Sequence, residues 1–268
     1  ITGALGGIGL RLIDWLVERG ASSLLLVSRS AGSPSPEVKH RLEGLEARGI
    51  RCQRVALDLA AGPEALATTV LADAIRALPP DQPLRGLFHA AGVLEDGLVS
   101  GLTPERLAAA LGPKLAAWQG VQAAIAQAQA SREQASQEQG SQEHASQEQA
   151  LQGEATQGHA DQTAPSAVKA CNPCDGLDFS IAFSSLASLL GSPGQAAYGA
   201  ANGGLDALCR QGCADGHARD GKPLRLAIQW GPWEGAGMAE GKTRRLEGLG
   251  VGLLPAAGAF QALDLLLE

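Results

Sequence analysis

Aromatic side chains are scarce in this 268-residue chain: they make up 3% of it, and Tyr198 is the single tyrosine. A hydrophobic core must therefore be built mainly from Ala, Leu, Val and Ile, and the hydrophobic share of 45% suits an ordinary globular domain. Long apolar runs are missing, so we expect no membrane-spanning helix. An excess of basic residues is also missing, since the formal net charge is −7, which argues against a nonspecific nucleic-acid binder.

The five cysteines follow no disulfide or zinc-binding pattern. Their odd number and irregular spacing favour free thiols in a reducing compartment, and we expect a cytoplasmic location. Cys171 and Cys174 form a single C-x-x-C pair, without a second pair of Cys or His at the spacing that a four-ligand zinc site needs. We therefore predict no metal site.

A glycine-rich turn stands at the start of the chain. Residues 1–2 are strand-like, a helical pattern follows the glycines, and residues 24–27 are strand-like, which together indicate a βαβ unit. Glycines at a helix N-terminus let a phosphate approach free backbone N–H groups, although a tight turn without a ligand has the same composition. The candidate phosphate-binding residues are Thr2, Gly3, Leu5, Gly6, Gly7, Ile8 and Gly9.

The second predicted strand ends at Arg29, which is flanked by Ser28 and Ser30. Folds that select NAD usually place an acid here to bind the ribose 2′-hydroxyl, whereas a guanidinium matches a 2′-phosphate. We therefore expect NADP(H), with a solvated surface arginine as the alternative. Further candidate cofactor contacts follow later strands, namely Asp58, Leu59, His89, Ala90, Ala91, Gly92, Gly231, Pro232 and Trp233.

Three polar residues near a later strand form the candidate catalytic group. Ser185 follows the apolar residues 179–183, Tyr198 comes thirteen residues after it, and Asn202 stands four residues after the tyrosine. Tyr198 and Asn202 share one face of the helix predicted there, and a strand end can meet that face in the crevice of an open α/β sheet. Lys114 lies in a helix predicted over residues 103–127, where an isolated lysine is usually solvated.

Residues 129–175 differ in composition from the rest of the chain. Residues 131–150 are four five-residue repeats rich in Ser, Gln, Glu and Ala. A period of five advances about 140° per repeat on a helix, so no apolar stripe forms. Alanine is the only apolar residue in the repeats, so burial offsets little of the ordering entropy. We expect 129–175 to be an exposed, largely disordered insertion that begins as a frayed extension of the preceding helix.

Strands alternate with helices along the remaining chain. This order predicts one α/β domain over residues 1–268, with a doubly wound parallel sheet and the insertion within it. Gly203 and Gly204 inside the helix after Tyr198 indicate a close contact with another helix or a cofactor. Residues 234–252 are rich in Gly and charge, which is typical of a mobile lid.

Taken together, these motifs resemble the short-chain dehydrogenase/reductase superfamily, and more closely the ketoreductase domain of modular polyketide synthases and related fatty acid synthases. The resemblance covers nearly the whole chain outside residues 129–175. Most short-chain reductases have lysine where this chain has Asn202, whereas polyketide ketoreductases have asparagine there and a lysine like Lys114 from the preceding helix. The motifs are Thr2-Gly3-x3-Gly7-x-Gly9, His89-Ala90-Ala91-Gly92-Val93, Ser185 with Tyr198, and Trp230-Gly231-x-Trp233.

The resemblance implies a Rossmann sheet of order 3-2-1-4-5-6, here with a truncated first strand, and NADPH-dependent reduction of the β-carbonyl of an acyl thioester. Tyr198 would be the general acid, and Lys114 would lower the tyrosine's pKa and hold the nicotinamide ribose. Ser185 would donate a hydrogen bond to the carbonyl oxygen, and Asn202 would orient Lys114 or a relay water. The implied partners are an acyl carrier protein bearing a phosphopantetheine-linked chain and other domains of the same polypeptide, with no nucleic acid or membrane.

The resemblance also addresses stereochemistry. Leu94-Glu95-Asp96 is similar to the Leu-Asp-Asp signature of B-type ketoreductases, which give the D-hydroxy product, although Glu95 departs from it. Pro193 agrees with that type, and Leu190 stands where A-type enzymes carry tryptophan. The expected substrate contacts are Leu94, Asp96, Ser185, Leu190, Pro193 and Gln195.

Two alternatives remain open. One is a stand-alone short-chain reductase of a small ketone, against which Asn202 and Lys114 argue. The other is a non-catalytic structural domain of a megasynthase, against which the four filled catalytic positions argue. Family members also carry an N-terminal structural half-domain, so we expect this chain to be an excerpt with low stability by itself.

Overall fold

The computed structural model describes residues 1–60, 64–151, 177–211, 224–235, 248 and 250–268. Five strands lie in these ranges: β1 (Ser23–Ser28), β2 (Arg51–Ala56), β3 (Gly86–His89), β4 (Phe179–Ser185) and β5 (Leu224–Trp230). The α-helices are α1 (Gly7–Glu18), α2 (Pro36–Ala47), α3 (Glu64–Arg76), α4 (Pro104–Leu111), α5 (Leu115–Leu151), α6 (Ala187–Leu190), α7 (Ala196–Gln211) and α8 (Ala256–Leu267).

The strands form a parallel sheet in the order β2-β1-Thr2-β3-β4-β5. β1 pairs with β2, and β3 and β5 flank β4, all in parallel. Thr2 joins the two groups by parallel bridges to Val27 and His89. Thr2 thus occupies the place of the first strand in a 3-2-1-4-5-6 order, which confirms the predicted α/β class and its parallel sheet.

Helices cover both faces of the sheet, because a parallel sheet is apolar on both sides. On one face α3, α5 and α7 bury residues such as Leu71, Trp118 and Leu205. On the other face lie α1, α2 and α8. The few aromatic side chains gather under α1 and α8, in ring contacts that link Trp15, Phe88, Phe179, Phe183, Trp230, Trp233 and Phe260. Scarce aromatics are therefore concentrated in one half of the core.

The helix predicted over residues 103–127 is in fact two helices. Thr103 caps α4 by accepting a hydrogen bond from the Arg106 backbone N–H. α4 ends at Leu111 and α5 begins at Leu115, with Gly112, Pro113 and Lys114 between them. Gly112 is itself helical, but Pro113 has no N–H to bond within the helix and its ring clashes with the preceding turn, so the apolar period continues while the helix breaks. Lys114 consequently lies at a bend and not within a helix.

The predicted insertion begins as an extension of the preceding helix, as expected from the sequence, but the helix continues to residue 151, so residues 129–151 belong to α5. Ala, Gln, Glu and Arg are good helix formers, and the backbone bonds of a helix need no apolar stripe. Arg132 also anchors this stretch, because its guanidinium donates to the carbonyls of Ile75 and Leu78. The rest of the predicted insertion, residues 152–175 with Cys171 and Cys174, lies outside the described residues, as does most of the predicted lid.

A close helix–helix contact explains Gly204, one of the two adjacent glycines Gly203 and Gly204 in α7. A Cβ at Gly204 would stand 2.9 Å from the Leu115 side chain at the start of α5. Gly204 therefore lets α7 pack directly against the bend that carries Lys114. Within the described residues, no helix has the length and apolarity needed to cross a bilayer.

Two helical glycines, one in the first turn of α1 and one in α2, test the packing at the glycine-rich turn. A Cβ at Gly9 in α1 would lie 2.4 Å from the Gly3 carbonyl oxygen and 2.5 Å from that of Ala4, whereas a Cβ at Gly44 in α2 would meet nothing within 4 Å. We expect Gly9→Ala to lower the free energy of unfolding by about 2 kcal/mol through overpacking. Gly44→Ala should raise it by about 1 kcal/mol through helix propensity. Thermal denaturation of both variants measures the difference, and equal melting temperatures would contradict the close contact.

Candidate active site

A cavity of about 400 Å³ opens at the carboxyl ends of β3, β4 and β5, beside the start of α1. This is where ligands of open α/β sheets bind. The structure brings together there a large part of the predicted site. The predicted residues that line the cavity are Ile8, Ala90, Leu94, Lys114, Ser185, Leu190, Pro193, Gln195, Tyr198, Gly231, Pro232 and Trp233.

Ser185 and Tyr198 reach the cavity from two adjacent elements. Ser185 is the last residue of β4, and its Oγ accepts a hydrogen bond from the Ala187 N–H at 3.2 Å. Tyr198 lies in the first turn of α7. Burial raises the pKa of the Tyr198 phenol above its ordinary value, while Ser185 and Asn202 partly oppose that shift. The phenol therefore keeps its proton at neutral pH and can act as an acid.

Lys114 enters the cavity from the bend between α4 and α5. Its side chain is almost fully buried, and Nζ donates a hydrogen bond to the carbonyl of Phe183 on β4. Burial lowers the pKa of the ammonium from 10.5 to about 8, while Asp206 and Cys209 on α7 act in the opposite direction. At neutral pH the group is a protonated cation in a poorly solvated place, where it acts strongly on neighbouring charge.

Asn202 is fully buried one turn after Tyr198, and it does not line the cavity. Its Nδ2 donates to the Tyr198 carbonyl at 2.8 Å, whereas Lys114 donates to Phe183 instead. The Oδ1 atom of Asn202 has no hydrogen-bond partner among the described residues. The predicted orientation of Lys114 by Asn202 is therefore not present as a direct bond, and a buried acceptor remains for a water molecule.

A polar pair next to Ser185, the partly buried Ser188 and the buried Asp206, is not predicted from the sequence. Ser188 Oγ lies 2.8 Å from both the Ser185 carbonyl oxygen and Asp206 Oδ2. Asp206 is 3% exposed, and it raises the pKa of Lys114. In the sequence, an acidic residue among the small and apolar residues of α7 could have indicated this pair, because a buried carboxylate needs a hydrogen-bond partner.

The glycine-rich turn has the features of a phosphate cradle. Gly3 has a φ of +67°, and a Cβ there would stand 2.8 Å from the Ala91 backbone, so only glycine fits. Gly6 is the N-cap residue of α1 and offers no side chain to cap the helix, and no acidic residue occupies the first turn. Gly6 and Gly7 are both exposed. Free N–H groups at such a helix start favour an anion, so these residues fit the diphosphate of a dinucleotide.

The other predicted cofactor residues divide into two groups. Arg29 is exposed after the end of β1, where the Ser28 and Ser30 hydroxyls lie 3.2 Å apart, so a ligand at this sheet edge can reach them. Asp58 accepts a hydrogen bond from the Ala60 N–H, and Leu59 packs against the core. By contrast, Thr2 and His89 are buried against each other, with Thr2 Oγ1 and His89 Nδ1 2.7 Å apart.

His89 is therefore a core residue in this structure. Its side chain is fully buried, and its ring meets Trp118 edge-on. Burial, reinforced by the charge of Lys114, lowers the pKa of the imidazole to about 3, so it is neutral at physiological pH. The next residue, Ala90, lines the cavity, whereas His89 does not. Trp233 likewise packs in the aromatic core and is 2% exposed, although it borders the cavity.

The Leu94-Glu95-Asp96 segment forms one rim of the cavity. Leu94 lines it, whereas Asp96 is exposed and accepts a hydrogen bond from Gln195 Nε2 at 3.0 Å. Of the predicted substrate contacts, Asp96 is thus the one that reaches the cavity only through another residue. Within the described ranges, no group of three or more His, Cys, Asp or Glu residues could hold a metal ion.

Known proteins with similar sequences cover most of this chain. The chain is 30% identical over 253 residues to 6-methylsalicylic acid synthase of Aspergillus terreus, and the match covers 89% of this chain and 11% of that protein. It is 28% identical over 255 residues to a phenolphthiocerol/phthiocerol polyketide synthase protein of Mycobacterium tuberculosis, covering 89% of this chain and 10% of that protein. The chain thus spans about a tenth of the length of these relatives.

Solved structures of ketoreductases are also similar to this chain. An A1-type ketoreductase has a TM-score of 0.70 and 29% identity, covering 100% of this chain and 44% of that one. The ketoreductase from the first module of phoslactomycin biosynthesis in Streptomyces sp. HK803 has a TM-score of 0.69 and 26% identity, covering 98% of this chain and 48% of that one. The family model of the KR domain matches residues 1–133 and 162–235, so it omits most of the repeats but includes the glycine-rich turn, Lys114, Ser185 and Tyr198. This chain belongs to the KR domain family.

Proposed function

We propose that this chain reduces the β-keto group of a carrier-bound acyl thioester to a β-hydroxyacyl group, with NADPH as the reductant, during polyketide or fatty acid synthesis. The observation that carries the proposal is the cavity in which Tyr198, Ser185 and Lys114 meet, next to an uncapped helix start. A ketone that accepts a hydride develops negative charge on oxygen, and these three groups are a proton donor, a hydrogen-bond donor and a cation.

Each residue has a distinct part in the proposed reaction. Bound NADPH would supply the hydride. Ser185 would donate a hydrogen bond to the substrate carbonyl oxygen, and Tyr198 would give that oxygen its proton. Lys114 would stabilise the phenolate that remains on Tyr198, because an ammonium in a poorly solvated site favours a nearby anion. Asn202 would hold the first turn of α7 through its bond to the Tyr198 carbonyl and offer its Oδ1 to a water.

The preference for NADPH rests on Arg29. Its side chain is exposed at the end of β1 between two hydroxyl-bearing serines, and no acidic residue stands at this position to bind a ribose 2′-hydroxyl. A guanidinium matches the 2′-phosphate that distinguishes NADPH from NADH. The diphosphate would lie at the turn formed by Gly3, Gly6 and Gly7.

The proposal of a carrier-bound substrate is based on the proteins to which this chain is similar. Its relatives are named as polyketide synthases or as synthases of aromatic products, and each is roughly ten times longer than the matched region. We infer that this chain works beside other domains of one polypeptide, on a chain held by the phosphopantetheine of an acyl carrier protein. Five cysteines at spacings without a disulfide pattern support a reducing, cytoplasmic setting.

The proposed product is the D-hydroxy stereoisomer. This proposal is supported by Leu94 and Pro193, which agree with the B-type pattern, and by Leu190, which stands where A-type enzymes carry tryptophan, since all three border the cavity. Overall similarity does not distinguish the types, since an A1-type ketoreductase is among the similar structures. The stereochemical proposal therefore depends on these rim residues alone.

One assay tests the proposal. The protein, expressed with its native flanking segments, receives a β-ketoacyl thioester of pantetheine with NADPH or NADH, and the absorbance of the reduced cofactor is followed. We expect turnover with a kcat/KM for NADPH at least about tenfold above that for NADH, the value of one lost charged contact. Chiral chromatography should then give the D-alcohol.

The contrary outcomes of this assay are distinct. An L-alcohol would overturn the stereochemical proposal only. Turnover of free ketones without turnover of thioesters would favour a stand-alone reductase. Binding of NADPH without turnover of any ketone would favour a non-catalytic structural domain.

A further inference from the structure

The cavity rim at Leu94 is held by contacts with a distant part of the chain. The Gly97 N–H donates to the Gly194 carbonyl at 2.7 Å, and Gln195 donates to Asp96 at 3.0 Å. Leu94 and Gln195 both line the cavity. Residues 94–97, which we call the rim loop, therefore form a closed edge with residues 194–195 that any substrate entering on this side must pass.

Regular secondary structure does little to fix the rim loop. Between the end of β3 at His89 and the short 3₁₀ helix Val99–Gly101, a stretch that the structure describes in full, the backbone forms one isolated bridge, Gly97 to Gln195. A segment with so few backbone bonds samples many conformations unless side chains restrain it.

Arg106 supplies that restraint from α4. Its Nε donates to the Glu95 carboxylate at 3.2 Å, Nη2 donates to the Asp96 carbonyl at 2.9 Å, and Nη1 donates to the Gly101 carbonyl at 3.1 Å. A Cβ at Gly97 would stand 3.0 Å from the guanidinium, so the loop wraps closely around it. One rigid, planar group thus joins the rim loop to the 3₁₀ helix that follows.

Glu95, which stands where the Leu-Asp-Asp signature has aspartate, forms an ion pair with Arg106. Glu95 bears the carboxylate that pairs with Arg106, and both side chains are about one-third exposed. Because this ion pair is partly solvated, it contributes little to stability by itself. The two carbonyl bonds add direction, because hydrogen bonds from a charged donor are stronger than neutral ones.

We propose that Arg106 is a positioning residue that fixes the rim loop and thereby sets how the acyl substrate enters and which face of its ketone is presented. This inference rests on the proposed function. Arg106 does not line the cavity, so it acts through Leu94 and through the Asp96–Gln195 contact. Its loss should affect substrate placement far more than the chemistry at Tyr198.

The test compares three variants of the flanked protein. We expect Arg106→Ala to raise KM for the β-ketoacyl thioester and the share of the minor alcohol by about tenfold each, as for loss of a hydrogen bond from a charged group, while kcat changes by less than about threefold. Glu95→Gln keeps both carbonyl contacts and should change KM by no more than about threefold. Arg132→Ala is the matched control, because Arg132 also bonds two backbone carbonyls, and it should change neither quantity.

A second readout needs no activity. Hydrogen exchange of the Gly97 amide, which is bonded to Gly194, should become at least about tenfold faster in Arg106→Ala and stay unchanged in Arg132→Ala. Unchanged exchange, KM and product ratio in Arg106→Ala would overturn the inference. Failure of the parent protein to reduce any substrate would instead count against the proposed function, while faster exchange in Arg106→Ala would still support the restraint of the loop.

Discussion

Tyr198→Phe is expected to lower kcat for a β-ketoacyl thioester by about 10³-fold, within the range that loss of a positioned general acid costs. The substitution removes one hydroxyl and keeps the ring that packs in the first turn of α7. The developing alkoxide would then have only Ser185 as a hydrogen-bond donor and would have to take its proton from solvent. Consumption of NADPH under saturating substrate measures the effect.

The pH dependence of the rate also tests the role of Tyr198. Burial raises the pKa of the phenol, so the group remains protonated through neutral and mildly alkaline pH. Loss of the Tyr198 proton should therefore not limit the parent enzyme in that range. The residual rate of Tyr198→Phe should be correspondingly flat over the same interval, apart from the effect of Lys114.

The fold of the variant must be intact for the comparison to be informative. Thermal denaturation of Tyr198→Phe should follow that of the parent, because neither the ring nor its backbone bond to Asn202 changes. Equal rates for the parent and Tyr198→Phe would eliminate the tyrosine as the acid. Absent turnover in both, with NADPH still bound, would support the structural alternative.

Lys114→Met is expected to have the second largest effect, a fall in kcat of about 10²-fold, because a charge removed from a poorly solvated site is worth several kcal/mol. Methionine has a similar length and no charge. The phenolate left on Tyr198 would lose the cation that favours it. The same absorbance assay measures this fall, and NADPH affinity from a fluorescence titration should also decrease.

The pH profile of the parent should reveal the titration of Lys114. Its pKa is about 8, set by burial and partly restored by Asp206 and Cys209, and the neighbouring His89 is neutral. The protonated form is the active one, so kcat should fall as pH rises through about 8. Lys114→Met should lack this alkaline fall, and a parent profile that is flat to about pH 10, near the ordinary lysine pKa, would contradict the assignment.

The stability of Lys114→Met should move in the opposite direction to its activity. In the folded protein the pKa of Lys114 is below its ordinary value of 10.5, so burial of the charged form destabilises the fold below about pH 8. That cost disappears as pH rises from about 8 to 10.5. We therefore expect Lys114→Met to melt no lower than the parent at neutral pH, despite the lost bond to Phe183, and to lack the parent's gain in stability over that interval. A large decrease in Tm at neutral pH would contradict this account.

Much of the fold can be predicted because its signals are local. The strand predicted at residues 24–27 agrees with the observed Ser23–Ser28 within one residue at each end, since a short run of apolar residues specifies it. The glycine-rich turn and the spacing of Ser185, Tyr198 and Asn202 are also local sequence signals. Together they predict which residues lie near the cavity. A helical start of the insertion is predicted, but its length to residue 151 is not, because an argument from apolar stripes overlooks helix propensity.

The sequence by itself determined the parallel α/β architecture and the residue types of the site, because side-chain period and turn chemistry act over a few residues. Only the tertiary structure decided that Lys114 lies at a bend and bonds to Phe183, that Asn202 bonds to Tyr198 and not to Lys114, and that Asp96 meets Gln195 99 residues away. Such contacts depend on the path of loops between elements. Period and spacing do not encode that path, whereas close packing fixes it to a fraction of an ångström.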